Sequence, residues 1–142
     1  VDTERGVEQK GEVVSTFIRI LIGLFLIAHG IVHPILAVIP EPGTESTVIG
    51  EFWTRSWLLG EGRGVKIAIY VLSGLAALVF LLAGLSFMGI IVPQAWWRTL
   101  WLAGAAFSLV LLIVFWHKDW QYGVAIDAAL LILPFVVNLG PT

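Results

Sequence analysis

The chain has 142 residues, 58% of them hydrophobic and 13% charged, with a net charge of −2. Soluble domains run at roughly 45–50% apolar and about 25% charged residues, so this balance points to one integral membrane domain. The Lys and Arg residues are scattered, which excludes a nucleic-acid surface; the lack of cysteine excludes disulfides, thiolate nucleophiles, thiolate-held iron–sulfur clusters and c-type haem attachment.

Residues 1–16 mix Asp2, Glu4, Glu8 and Glu12 with Arg5 and Lys10 and read as a solvated lead-in. From Phe17 to Ile39 the chain is apolar apart from Arg19, His29 and His33. At ~1.5 Å per residue this run exceeds the ~30 Å of bilayer hydrocarbon, so it is the first membrane span. It is about twice a typical signal-peptide core and follows an acidic segment, so it is not expected to be a cleaved signal.

Residues 40–65 are too long for a bare loop. Within 47–59, Ile49, Phe52, Trp53 and Trp57 share one helical face and Glu51 precedes Arg55 by four residues, which predicts an interfacial amphipathic helix. Further spans are expected at about 66–91, 97–116 and 122–139. The last two links are short, so the expected fold is an all-α, up-down four-helix membrane bundle, with that amphipathic helix between its first and second spans. Small residues, among them Gly23, Gly30, Gly74, Gly84, Ala125 and Ala129, are expected to let the helices approach.

Tryptophan prefers the headgroup region. The sequence places Trp96, Trp97 and Trp101 at the face holding both termini, and Trp53, Trp57, Trp116 and Trp120 at the opposite one. Basic residues balance across the two faces. Arg19 and Arg98 at span ends tip the expectation towards cytoplasmic termini.

Ionisable groups inside hydrocarbon turn inward and pair. Counted from the loop-side ends of their spans, His33 lies ~9 Å deep, Asp127 ~8 Å and Tyr70 ~6 Å, with His29 one turn further in. His29, His33, Tyr70 and Asp127 are therefore the candidate ligand-binding residues. Pro34 and Pro134 free the carbonyls of Gly30 and Leu130, which then need partners or a cavity. Three readings stay open: a layer that only fixes helix packing; a pocket for a quinone-like or other lipid-soluble molecule; and, behind these, a metal held by His29, His33 and Asp127. No metal ligand is assigned, and haem ranks lowest because His33 would need His117, at a different depth, as its mate. Hydrolysis by a serine finds no support, since no histidine is expected at the level of Ser73, Ser86 or Ser108 and no G-x-S-x-G elbow is present; the glycine-rich Gly60 to Gly64 reads as a turn rather than a phosphate-binding loop.

Arg19-Ile20-Leu21, then Phe25, Gly30 and His33, are similar to the first helix of the DoxX-like family of small four-helix membrane proteins. That family carries a lysine where this chain has His33, so a fixed cation is replaced by a titratable group. His29 has no counterpart there. The resemblance implies four helices, a prokaryotic plasma membrane, and a role in quinone-linked sulfur oxidation or membrane redox balance, usually beside partner proteins. The expected function is thus a membrane redox-associated protein binding a quinone-like lipid, with a membrane partner protein or a second copy as companion and no nucleic acid. The alternative is a non-catalytic subunit or scaffold. Whether the chain is an enzyme is not assigned.

Overall fold

The computed structural model describes residues 2–38, 55–116 and 120–136. Four helices dominate: α1 (Asp2–Val38), α2 (Arg63–Met88), α3 (Trp97–Val114) and α4 (Gln121–Val136). Three are long and apolar enough to cross a membrane, at Thr16–Ile35, Arg63–Met88 and Gln94–Val114. The described part of α4 has 16 residues, or ~24 Å. The span expected at 122–139 therefore ends outside the described residues.

Two boundaries differ from expectation. The acidic lead-in is helical, so α1 runs unbroken for 37 residues and continues past Pro34. Nothing in its composition forbids this, because Glu, Lys, Arg and Gln are all good helix formers. The expected interfacial helix at 47–59 is contradicted where it can be seen. Its last residues form a hairpin of β1 (Arg55–Ser56) with β2 (Gly60–Glu61), in register Arg55↔Glu61, while the rest lies outside the described residues. Gly60 takes a left-handed φ of 74° there, which ends any helical run. The hairpin has a structural task at the end of α3. Ser56 Oγ donates to the Val114 carbonyl and Trp57 Nε1 to that of Ile113, both at 2.6 Å, serving carbonyls that the last helical turn leaves open.

Successive helices pack side by side, and their contacts run in opposite directions. Between α1 and α2, Arg19 donates to the Met88 carbonyl, Gly23 faces Gly84 and Gly30 faces Ala77. Between α2 and α3, Phe87 packs on Trp97 and Phe80 covers Gly104; between α3 and α4, Trp101 meets Leu130 and Leu112 meets Gly123. Gly84 is needed for this approach, because an added Cβ would lie 2.5 Å from the Gly23 carbonyl oxygen. Gly74 is a correction: it faces open space, and Ala125 and Ala129 are also exposed, so these small residues do not mediate packing among the described residues.

The link from α2 to α3 is tight. Gly89, at φ 74°, closes α2 with a Schellman pair of bonds, Ile90 N–H to the Leu85 carbonyl and Gly89 N–H to that of Ser86. A single turn of 3-10 helix, Gln94–Trp96, then leads into α3.

The buried core falls into two apolar clusters. One holds Leu26, Phe80, Phe87, Trp97, Trp101 and Leu130; the other holds Ala37, Ile69, Leu111, Leu112, Phe115 and Trp120. On α1, α3 and α4 the stretch between these clusters carries the polar side chains His29, His33, Ser108 and Asp127. A polar layer is thus sandwiched between two apolar ones. Outward, Leu24, Val71, Leu78, Val110 and Ile132 are exposed. Trp101 is a second correction. Placed by sequence at the headgroup level, it is 1% exposed, because its indole sits inside the first cluster.

Candidate functional site

His29 and His33 stand four residues apart on α1, so one turn of helix stacks them on the same face. Their rings meet edge to face at 5.1 Å, and the Phe80 ring of α2 packs edge-on against both, at 5.1 Å from His29 and 6.3 Å from His33. This aromatic wall exists because Gly30, between the histidines, lets α2 come close: a Cβ there would lie 2.6 Å from Phe80 Cβ. Sequence and packing together therefore aim both imidazoles away from α2, towards α3 and α4.

There they meet a hydroxyl and a carboxylate. His29 Nε2 donates to Asp127 Oδ1 at 2.8 Å. Ser108 Oγ donates to Asp127 Oδ2, and since that uses the single hydroxyl proton, His33 Nε2 donates in turn to Ser108 Oγ. The result is a continuous path, His33 to Ser108 to Asp127 to His29, joining α1, α3 and α4. Asp127 and Ser108 are fully buried and His33 is 4% exposed, whereas the His29 side chain retains 11%. Among the described residues, the nitrogen-bearing side chain bonded to the Asp127 carboxylate is His29.

The seam between α1 and α4 has a distinct character. Among the described residues, α1 packs closely along α2, α2 along α3 and α3 along α4, whereas the backbones of α1 and α4 approach each other at few points. His29 and Asp127 bridge these two helices with their side chains. Phe25, one turn before His29 and 48% exposed, stacks on the imidazole at 5.8 Å with the planes 17° apart.

Of the four residues singled out by sequence, the structure brings His29, His33 and Asp127 together and leaves Tyr70 out. Tyr70 has the right depth but the wrong face of α2: its side chain is 48% exposed, and its backbone carbonyl merely accepts the Ser73 hydroxyl. The pairing also differs, because His29 rather than His33 touches Asp127 directly. Ser108 was missed by the expectation that no histidine shares its level. The rise-per-residue count puts Ser108 ~12 Å into its span, between His33 and His29, so the signal was available. His117, the other half of the haem reading, lies outside the described residues.

Chemically, the layer holds two imidazoles, one carboxylate and one hydroxyl in mutual hydrogen-bonding contact. Such a set can hold a proton, orient a hydrogen-bonding ligand or supply N and O ligands to a metal. No family model, curated protein or solved structure matches the chain.

Proposed function

We propose that this chain is an integral membrane protein, an up-down bundle of four spans, whose polar layer binds the head group of a quinone-like, lipid-soluble molecule at His29. The observation that carries this reading is the position of His29. It belongs to the buried network through Asp127, yet its side chain keeps 11% of its surface exposed and is stacked on an outward-facing phenyl ring. A flat head group arriving from the lipid meets there an imidazole that Asp127 orients, beside an aromatic surface that suits a planar ring. Behind it, Asp127, Ser108 and His33 continue the hydrogen bonds inward, so a proton exchanged with the ligand has somewhere to go.

Membrane insertion is supported by the three helices of spanning length and by their exposed Leu, Val and Ile side chains. The antiparallel contacts of successive helices support the up-down order. The similarity of Arg19-Ile20-Leu21, Phe25, Gly30 and His33 to the DoxX-like first helix points in the same redox direction. Of the two candidate histidines, His33 is buried, and the ligand contact is His29.

A second reading, in which the layer only fixes helix packing, is favoured by one observation: among the described residues no buried side-chain nitrogen or oxygen lacks a partner. Native mass spectrometry separates the two. Wild type and His29→Ala, released from mild detergent after treatment with a chelator, are offered a short-chain ubiquinone. A one-to-one adduct in wild type that the substitution abolishes supports the pocket. Equal adducts, or none, in two folded proteins leave the packing reading.

A further inference from the structure

We propose that His29, His33 and Asp127 also form an intramembrane site for a first-row divalent transition metal, with Ser108 as its supporting hydroxyl. The inference goes beyond the quinone reading and does not depend on it. It rests on donor geometry, donor chemistry and charge.

One ligand atom from each of the three residues lies within 4.8 Å of the other two. Bonds of ~2.0–2.2 Å to imidazole nitrogen and carboxylate oxygen place such atoms ~3.3 Å apart around one ion. His29 and Asp127, at 2.8 Å, are already close enough. A swing of at most about 1.5 Å by the His33 ring completes the set. The histidines need no backbone movement, because their i, i+4 spacing already stacks both Nε2 atoms on the side facing Asp127.

Two imidazoles and one carboxylate form a donor set suited to Zn2+ with an open fourth position, or to Fe2+ and Mn2+ in a facial arrangement; the lack of sulfur disfavours Cu(I). Each neutral imidazole needs only to move its proton from Nε2 to Nδ1 to offer the lone pair. Ser108 keeps its bond to Asp127 Oδ2 while Oδ1 faces the ion, which is the role of an outer hydrogen bond that orients a ligating carboxylate.

Charge supplies the independent argument. Asp127 is fully buried between apolar clusters, and the groups bonded to it are an imidazole and a hydroxyl. A carboxylate without a fixed cation is costly in such surroundings, and a divalent ion among neutral imidazoles compensates it. Among the described side chains no Arg or Lys reaches the same layer: Arg19 is held at the Met88 carbonyl, Arg98 lies over the Trp97 ring, and Arg63 and Lys66 are exposed at the start of α2.

The test uses the full chain in detergent micelles, free of any polyhistidine tag and stripped with EDTA, titrated with Co2+ as the spectroscopic probe. Wild type is expected to take up one Co2+ per chain with visible ligand-field bands that Zn2+ abolishes. His29→Gln, His33→Gln and Asp127→Asn, which keep polar side chains in the layer, should each weaken binding at least tenfold. Ser108→Ala should weaken it by about 10- to 100-fold, as outer-sphere partners do, and Tyr70→Phe should leave it unchanged. Added Zn2+ should also raise the unfolding temperature of wild type, a readout that needs no variant. Failure of folded wild type to take up stoichiometric Co2+, or equal uptake in the three ligand variants, overturns the metal site. Because the quinone experiment is run on chelated protein, either proposal can fail while the other stands.

Discussion

Trp101 Nε1 on α3 donates at 2.8 Å to the carbonyl of Leu130 on α4, the carbonyl that Pro134 deprives of its helical partner. A proline inside a helix frees an acceptor that needs a partner when buried, and here a neighbouring indole takes it within the core. The tryptophan and the proline are therefore one device. Trp101→Phe should cost about 1–3 kcal/mol, since it removes the donor from a buried acceptor. In a Pro134→Ala background, where the new N–H can serve Leu130, the same substitution should cost less. Reversible unfolding of the four proteins of this cycle in mixed micelles measures the coupling, and strictly additive costs would show that the two residues act separately.

Much of the fold was legible in the sequence because apolar length is a one-dimensional signal. The first three long apolar helices, the short link before Trp97 and the free carbonyl of Leu130 all follow from counting residues and prolines. Azimuth was not legible. Depth placed Tyr70 beside His33, but only the packing of α2, fixed by Gly30 against Phe80, decides that Tyr70 faces outward. Ser108 was hard to see because a serine in a membrane helix usually bonds its own preceding turn. A buried stripe through Trp97, Trp101, Gly104, Ser108 and Leu111, at spacings of three and four, was the available sign that its hydroxyl points inward.

The glycines of α2 differ in what surrounds them, so one substitution tests the helix approach at two sites. Gly84→Ala forces a Cβ against the Gly23 backbone carbonyl, which has no free rotation with which to yield, and should destabilise by about 1–3 kcal/mol. Gly74→Ala meets nothing within 4 Å and should stabilise by up to about 1 kcal/mol through helix propensity. Unfolding in detergent gives both values; a loss at Gly74 would mean that this outer face is covered by something beyond the described residues.

Ile91 holds a positive φ of 65° with its side chain 92% exposed, in the turn between α2 and α3. A β-branched residue pays roughly 1–2 kcal/mol for that left-handed conformation, and no packing of the exposed side chain offsets it. Ile91→Gly should therefore raise the unfolding temperature in detergent. An unchanged or lower temperature in liposomes, with a gain in micelles, would indicate that the side chain anchors in the lipid headgroup region.

Ser108 and Tyr70 give the most direct contrast for the polar layer. Ser108→Ala removes the hydroxyl that accepts from His33 and donates to Asp127, leaving two buried polar atoms to find new partners, and should cost about 2 kcal/mol or more. Tyr70→Phe removes a hydroxyl from a side chain that faces outward, and should change stability by no more than about 0.5 kcal/mol. The same pair discriminates in the quinone adduct experiment, where Tyr70→Phe should bind as wild type does. Ser108→Ala should retain the adduct with reduced occupancy, because His29 still meets Asp127 while the inner half of the path is cut. If Tyr70→Phe instead abolishes the adduct, the ligand enters along α2 rather than along the seam between α1 and α4, and His29 is not its contact.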